Sequence, residues 1–289
     1  MILNVSKYTD IPMLYSNWFY DKISKGIFCI EKDQANNIYK LNPQNFEFIV
    51  FQTKNPKEFI KDINLLDDKG FKYIFLFTLT PYKEDIEKNI GNKHDILNTF
   101  KKLSKTIGSN RVVWKYGPII INQTYDIDYH KKSFEQLCRA LQGHTNECLV
   151  SFIENYEMPL HANLYISSIN KDTKEEIVVE LKKIANKYNI DLYSNEHFSQ
   201  ELSINNSSKL LKKKIYEQYN KVPQNLKSVD IGIFNTCIGN CEYCSCGGNN
   251  RTITSKRYKS SFVDSPLLIG KIDKTLEIKH PKTPSVFEI

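Results

Sequence analysis

The sequence predicts an α/β protein: a (β/α) barrel, complete or partial, with about seven mainly parallel strands and a cysteine-rich loop after the last barrel strand. Three observations carry this expectation. Short runs of β-branched and aromatic residues alternate with longer amphipathic segments at roughly 25–45 residues per unit, the pattern of repeated right-handed β/α crossovers. Nearly every run ends on polar residues, as the strand tips of a barrel do where functional groups collect. No GxGxxG follows the first run and no GxxxxGK[ST] occurs anywhere, which removes the commonest nucleotide sites of an open doubly wound sheet.

In chain order, strands are expected at Met1–Val5, Phe46–Gln52, Tyr73–Leu79, Arg111–Tyr116, Cys148–Ile153, Ile190–Tyr193 and Val229–Phe234. Helices are expected near Pro12–Ser24, Pro56–Lys69, Lys93–Ile107, Tyr129–Leu141, Thr173–Tyr188 and Ser207–Gln218, several opened by Pro, Asp, Ser or Thr. The strand tips then present Ser6, Lys7, Thr9 and Asp10; Thr53, Lys54 and Asn55; Thr78 and Thr80; Lys115 and Tyr116; Ser151 and Glu154; Asn195 and Glu196; and Asn235, Thr236 and Cys237. Residues 1–250 are read as the barrel with its cysteine loop, and 251–289 as a basic extension packed on it or trailing from it.

Composition narrows the class. The chain has 289 residues, 40% of them hydrophobic and 25% charged, which suits a packed globular protein and not a disordered or fibrous one. No apolar run approaches the roughly 20 residues of a membrane helix, and the start MILNVSKYTD lacks a secretory pattern, so a cytoplasmic protein without membrane contact is expected. The net charge is +7, with eight Lys/Arg against four Asp/Glu in residues 251–289. Such a surplus is compatible with an anionic partner. None of the six histidines has a metal-like H-x-x-H or H-E-x-x-H spacing, and the lysine run at 209–214 reads as a solvated helix face.

Four of the seven cysteines fall within residues 234–250, FNTCIGNCEYCSCGGNN, where Cys237, Cys241 and Cys244 make a C-x3-C-x2-C spacing. At this cysteine frequency chance would produce that triplet with a probability of roughly 0.004, so a shared ligand is the better account. Three closely spaced thiolates can hold three corners of an iron–sulfur cubane and leave one iron open; a zinc site completed by Cys246 is the alternative. Gly239, Gly247 and Gly248 supply backbone freedom for wrapping a cluster, and Tyr243 can cover one face.

The triplet, with an aromatic residue before its last Cys, resembles the cluster motif of radical S-adenosylmethionine enzymes, and its place after the last strand resembles the DUF1848 family, which has some similarity to spore photoproduct lyase-type proteins. The likeness extends through MILNVSKYTDIP, FQTKNP at 51–56, FTLTPY at 77–82, RVVWKYGPI at 111–119, SVDIGIFNTC at 228–237 and SPLLIG at 265–270. Two segments depart from the family pattern. Lys7-Tyr8 stands where SRRTDIP would place Arg-Arg, and Lys115-Tyr116-Gly117-Pro118-Ile119 stands where the pattern would have RYDPI, so Gly117 replaces an Asp. No cysteine precedes the last strand where the family carries further ones, so a second cluster is not expected.

The resemblance implies a [4Fe–4S] cluster on Cys237, Cys241 and Cys244, with S-adenosylmethionine as second cofactor. In a closed barrel the last strand lies beside the first, so the tip Ser6, Lys7, Thr9 and Asp10 is expected to help hold that cofactor. Lys54, Lys115, Tyr116 and Glu154 are further candidates for cofactor or substrate contacts, with Asp10 equally readable as a helix cap. The implied activity is reductive cleavage of S-adenosylmethionine to a 5′-deoxyadenosyl radical that abstracts hydrogen from an unknown small-molecule or nucleic-acid substrate. A reductant such as flavodoxin or ferredoxin is implied as partner. The alternatives are a non-catalytic iron–sulfur or electron-transfer protein and a zinc-stabilised nucleic-acid-binding protein.

Overall fold

In a computed structural model the described residues are 1–32, 37–42, 45–153, 169–196, 198, 202–222, 227–244, 246, 251–271, 278–279 and 287–288. In chain order the elements are β1 (Ile2–Val5), α1 (Ile11–Leu14), α2 (Ser16–Lys25), β2 (Phe28–Lys32), β3 (Asn37–Leu41), β4 (Phe48–Thr53), α3 (Asn64–Asp68), β5 (Tyr73–Thr78), α4 (Lys93–Ile107), β6 (Val112–Ile119), α5 (Ile127–Leu141) and β7 (Glu147–Phe152). Then follow α6 (Lys171–Lys187), β8 (Asp191–Ser194), β9 (Asn205–Asn206), α7 (Ser207–Tyr219), β10 (Lys227–Asp230), α8 (Arg251–Lys259), β11 (Ile278–Lys279) and β12 (Phe287–Glu288). Each of the seven expected strands has a counterpart, but the last is shifted: β10 ends at Asp230, and Ile231–Phe234 of its expected range lie beyond it. Among the described residues the parallel strands number eight, the short β9 being the addition. No helix among the described residues is long and apolar enough to cross a membrane.

The chain divides into two compact units. The first comprises residues 1–73, 223–240 and 246–289. Its strand order is β12-β10-β1-β4, with β10 and β4 parallel to β1 and β12 antiparallel to β10. The register sets Leu3 opposite Val229 on one side and Ile49 on the other. A hairpin of β2 and β3, extended by β11, forms a separate small sheet. Phe19 of α2, Phe51 of β4 and Phe59 make a core of rings 5.1–5.4 Å apart.

The second unit, residues 74–222 and 241–245, has the order β5-β6-β7-β8-β9. Its central strands β6 and β7 are buried on nearly every residue, the expected state of a parallel sheet covered on both faces. Phe77 packs on Phe100 of α4 and Trp114 stacks on Phe134 of α5. The alternate residues Val113, Leu149 and Tyr193 point to the other face, where Leu210 of α7 covers them. A barrel would turn that face inward and fill it with strand side chains alone. Here a helix lies on it, and the outer edge of β10 is taken by β12, so the described strands form an open sheet and not a closed barrel.

Helices begin where short polar side chains cap them. Asn92, Asp126, Asn170 and Asn206 accept from the amides of His94, Tyr129, Thr173 and Lys209 at 2.7–3.0 Å. The segment expected as one helix at Pro12–Ser24 is two, broken at Tyr15, which caps α1 by donating its amide to the Ile11 carbonyl at 2.8 Å.

Candidate functional site

The tip of β1 is built from its own hydroxyls and from carboxylates of neighbouring strands. Asp10 is buried; it accepts from the Met13 amide at 3.0 Å, capping α1, and from the Lys54 amide at 2.7 Å, tying the tip of β1 to that of β4. Burial pushes its carboxyl up to about 6, against the lowering effect of those amides and of the Thr53 hydroxyl. The Asp230 carboxylate at the end of β10 accepts from the Lys7 amide at 2.9 Å and the Gly232 amide at 2.7 Å, and burial raises it too. Gly232 is required by this closeness, since a β-carbon there would lie 1.6 Å from Ser6 Oγ. The expected adjacency of the last strand and the first is therefore met directly by parallel pairing of β10 with β1, without barrel closure.

The remaining tip residues separate. Ser6 and Thr9 are buried, Ser6 Oγ accepts from the amides of Tyr8 and Thr9, and Thr9 Oγ1 has no hydrogen-bond partner among the described residues. Lys7 is exposed, its ammonium 5.2 Å from the Tyr8 ring centre, and Tyr8 packs on Phe234 with ring centres 4.3 Å apart. Lys54 and Lys115 are half-buried. Tyr116 lies in the layer between β6 and α5, its hydroxyl 2.8 Å from His130 Nδ1, while His130 Nε2 meets the Ile120 carbonyl at 2.9 Å. Burial disfavours a charged His130, so this chain is a neutral hydrogen-bonded core element. Glu196 pairs with Lys174 at 2.9 Å. Glu154 lies outside the described residues.

Gly117 faces β7 so closely that a β-carbon would meet Ser151 Oγ at 2.4 Å and the Ser151 carbonyl oxygen at 2.8 Å. The packing of β6 on β7 thus leaves no room for a side chain at this position.

The cysteine loop is held in each unit by residues distant in sequence. In the first unit the Tyr15 hydroxyl donates to the carbonyl of Thr236, the residue before Cys237, at 2.6 Å, and the Asn235 amide donates to the Cys246 carbonyl at 2.9 Å. In the second unit the Cys244 amide donates to the Cys241 carbonyl at 3.1 Å, closing a turn, and Cys241 bridges Glu87 in antiparallel fashion. Sequence patterning gave no signal for the part played by Tyr15 or Glu87, because neither lies in a motif.

The six described cysteines with assigned side chains are free thiols. Cys138 and Cys148 are buried, and burial raises both, Cys138 to about 12, which makes them inert packing groups. Cys237, Cys241, Cys244 and Cys246 are half-buried. Three such thiols within eight residues fit the donor chemistry of an iron–sulfur cluster. Among the described residues, no three His, Cys, Asp or Glu side chains are gathered into a set that would hold a metal ion.

The fold and the loop together define a class: an α/β protein with a mainly parallel sheet and a three-thiol loop following the strand that pairs with β1. The chain matches, over residues 2–246, the family described as a domain of unknown function, DUF1848. It belongs to that family. No curated protein matches it significantly.

Proposed function

We propose that this protein is an iron–sulfur enzyme of the radical S-adenosylmethionine type. Cys237, Cys241 and Cys244 would bind a [4Fe–4S] cluster through their thiolates, leaving one iron without a protein ligand. The observation that carries the reading is the C-x3-C-x2-C spacing on a loop whose preceding strand pairs with β1, which brings the start of that loop beside the tip Ser6–Asp10. When bound, such a cluster supplies one electron that breaks a carbon–sulfur bond of S-adenosylmethionine, giving a 5′-deoxyadenosyl radical that takes hydrogen from a substrate.

The chain's own residues bind and orient. Thr9, buried and with no hydrogen-bond partner for its hydroxyl among the described residues, offers a hydrogen bond to a polar cofactor group. Asp10 holds the tips of β1 and β4 in register, which sets where Thr9 and Lys54 stand. In the first unit Lys7 and Lys54 give the tips of β1 and β4 positive charge suited to a carboxylate or phosphate; in the second, Lys115 does the same at β6. A flavodoxin- or ferredoxin-like reductant is the partner this chemistry calls for.

Anaerobic reconstitution with iron and sulfide tests the reading. The expected result is a brown protein that releases 5′-deoxyadenosine from S-adenosylmethionine under reductant, and loss of both iron and product in Cys241→Ala. Unchanged iron content in that variant would end the proposal. Colour without product would point to a non-catalytic cluster protein, and a colourless zinc protein to the nucleic-acid-binding alternative.

A further inference from the structure

The segment that carries Cys241 and Cys244 is docked on the chain that follows β5. Glu87 and Cys241 are bridge partners in antiparallel backbone pairing, and the Glu242 amide donates to the Ile86 carbonyl at 2.9 Å. Lys88 forms an ion pair with Glu242. One oxygen of the Glu87 carboxylate accepts from the Tyr243 hydroxyl, and the other pairs with the Lys93 ammonium. The Tyr243 ring packs on a cluster formed by Tyr82, Ile86, Ile120, Tyr125 and Ile153.

Glu87 is only 3% exposed. A carboxylate that deep is costly unless its oxygens are paired, and these are divided between a cation of its own segment and a hydroxyl of the cysteine loop. Tyr243 stands between Cys241 and Cys244 in sequence, so the contact acts on the turn that separates those two thiols. Fixing that turn in advance removes an ordering cost that metal binding would otherwise bear.

We propose that Glu87 is a positioning residue for the cysteine loop, holding the Cys241–Cys244 turn through Tyr243 so that its thiols are set before a metal arrives. The inference rests on the metal-binding reading of the loop, and its test separates the two. Co(II), followed by its thiolate charge-transfer absorption in oxygen-free buffer, is the probe. Glu87→Ala and Tyr243→Phe should each weaken Co(II) binding by about 10- to 100-fold, the usual cost of losing a partner that orients a ligand. The double variant should lose no more than the worse single one, because both remove the same contact. Glu87→Gln, which keeps an acceptor for the Tyr243 hydroxyl, should bind Co(II) as wild type does.

Wild-type Co(II) affinity in Glu87→Ala, with binding abolished in Cys241→Ala, would overturn the proposal while leaving the metal site standing. If wild-type protein binds no Co(II), the metal reading falls. Hydrogen exchange at the amides of Cys241–Cys244 in metal-free protein then decides the positioning role. Faster exchange in Glu87→Ala supports it, and unchanged exchange overturns it. Should Glu87→Ala not fold, Tyr243→Phe reads the same contact from the loop side.

Discussion

At the scale of single residues, the tips of β1 and β10 are regulated by burial. Asp10 titrates near 6 in the folded protein, above the ordinary carboxylate range, so the folded state keeps its proton to higher pH than the unfolded chain does. Stability from this group is full below its unfolded pKa and is lost as pH rises through about 6. Asp10→Asn should therefore gain about 2–3 kcal/mol relative to wild type between about pH 4 and about pH 7, read from urea midpoints at several pH values. Parallel curves for the two proteins would show that Asp10 titrates normally. Glycines supply a second check. Gly232→Ala and Gly117→Asp each drive new atoms into the Ser6 or Ser151 side chain and should cost about 1–3 kcal/mol in thermal or denaturant unfolding. Gly117→Asp is expected to weaken this chain even when Ser151 is reduced to Gly, because the Ser151 carbonyl oxygen still lies 2.8 Å from the new β-carbon. The residue types at these positions are visible in the sequence. Their burial is not, because Asp10, Asp230 and Gly232 meet only when β1, β4 and β10 are side by side.

At the scale of elements, the charged foot of β7 shows how α7 is fastened. Lys214 is fully buried; its ammonium meets Glu147 at 2.7 Å, Glu217 at 3.0 Å and the Asn110 carbonyl at 2.9 Å. The lysine run that reads as a solvated face is therefore split, with Lys214 turned inward beside Ile215 and Lys209 exposed. Lys214→Ala removes one partner of a buried pair and should destabilise the protein by about 3–5 kcal/mol, whereas replacing Lys214 and Glu147 together by Met and Leu should cost clearly less. Equal losses would mean that packing and not charge sets the effect. The long helices were legible from apolar spacing and caps: Ile96, Phe100, Leu103 and Ile107 of α4 follow the helical repeat, and the observed range matches the expected one. The polar helix α8 carries no such repeat, only Thr254 of its residues being fully buried among those described, so nothing in its pattern announces it. The β2–β3 hairpin escapes in the same way, since its first and second strands lie within a stretch read as connection.

For the whole molecule, the segment after Asn250 is part of the first unit. The Trp18 indole donates to the carbonyls of Ser265 and Leu267, each at 2.9 Å, and Leu267 and Leu268 are buried. Ending the chain at residue 250 should cost roughly 3–6 kcal/mol from those two leucines alone and make residues 1–73 newly sensitive to limited proteolysis. Proteolytic resistance equal to that of the full chain would show the segment to be dispensable. Alternation of strands and helices, capping and the C-x3-C-x2-C spacing are local properties written in neighbouring residues, which is why the α/β class, the order of strands and the family could be read without coordinates. Open sheet or barrel is a different kind of question. It turns on which face α7 covers and on what fills the edge of β10, contacts formed between residues far apart in the chain. The same holds for Tyr15 on Thr236 and Glu87 on Tyr243, separated by 221 and 156 residues, which meet only when folding brings them to the cysteine loop.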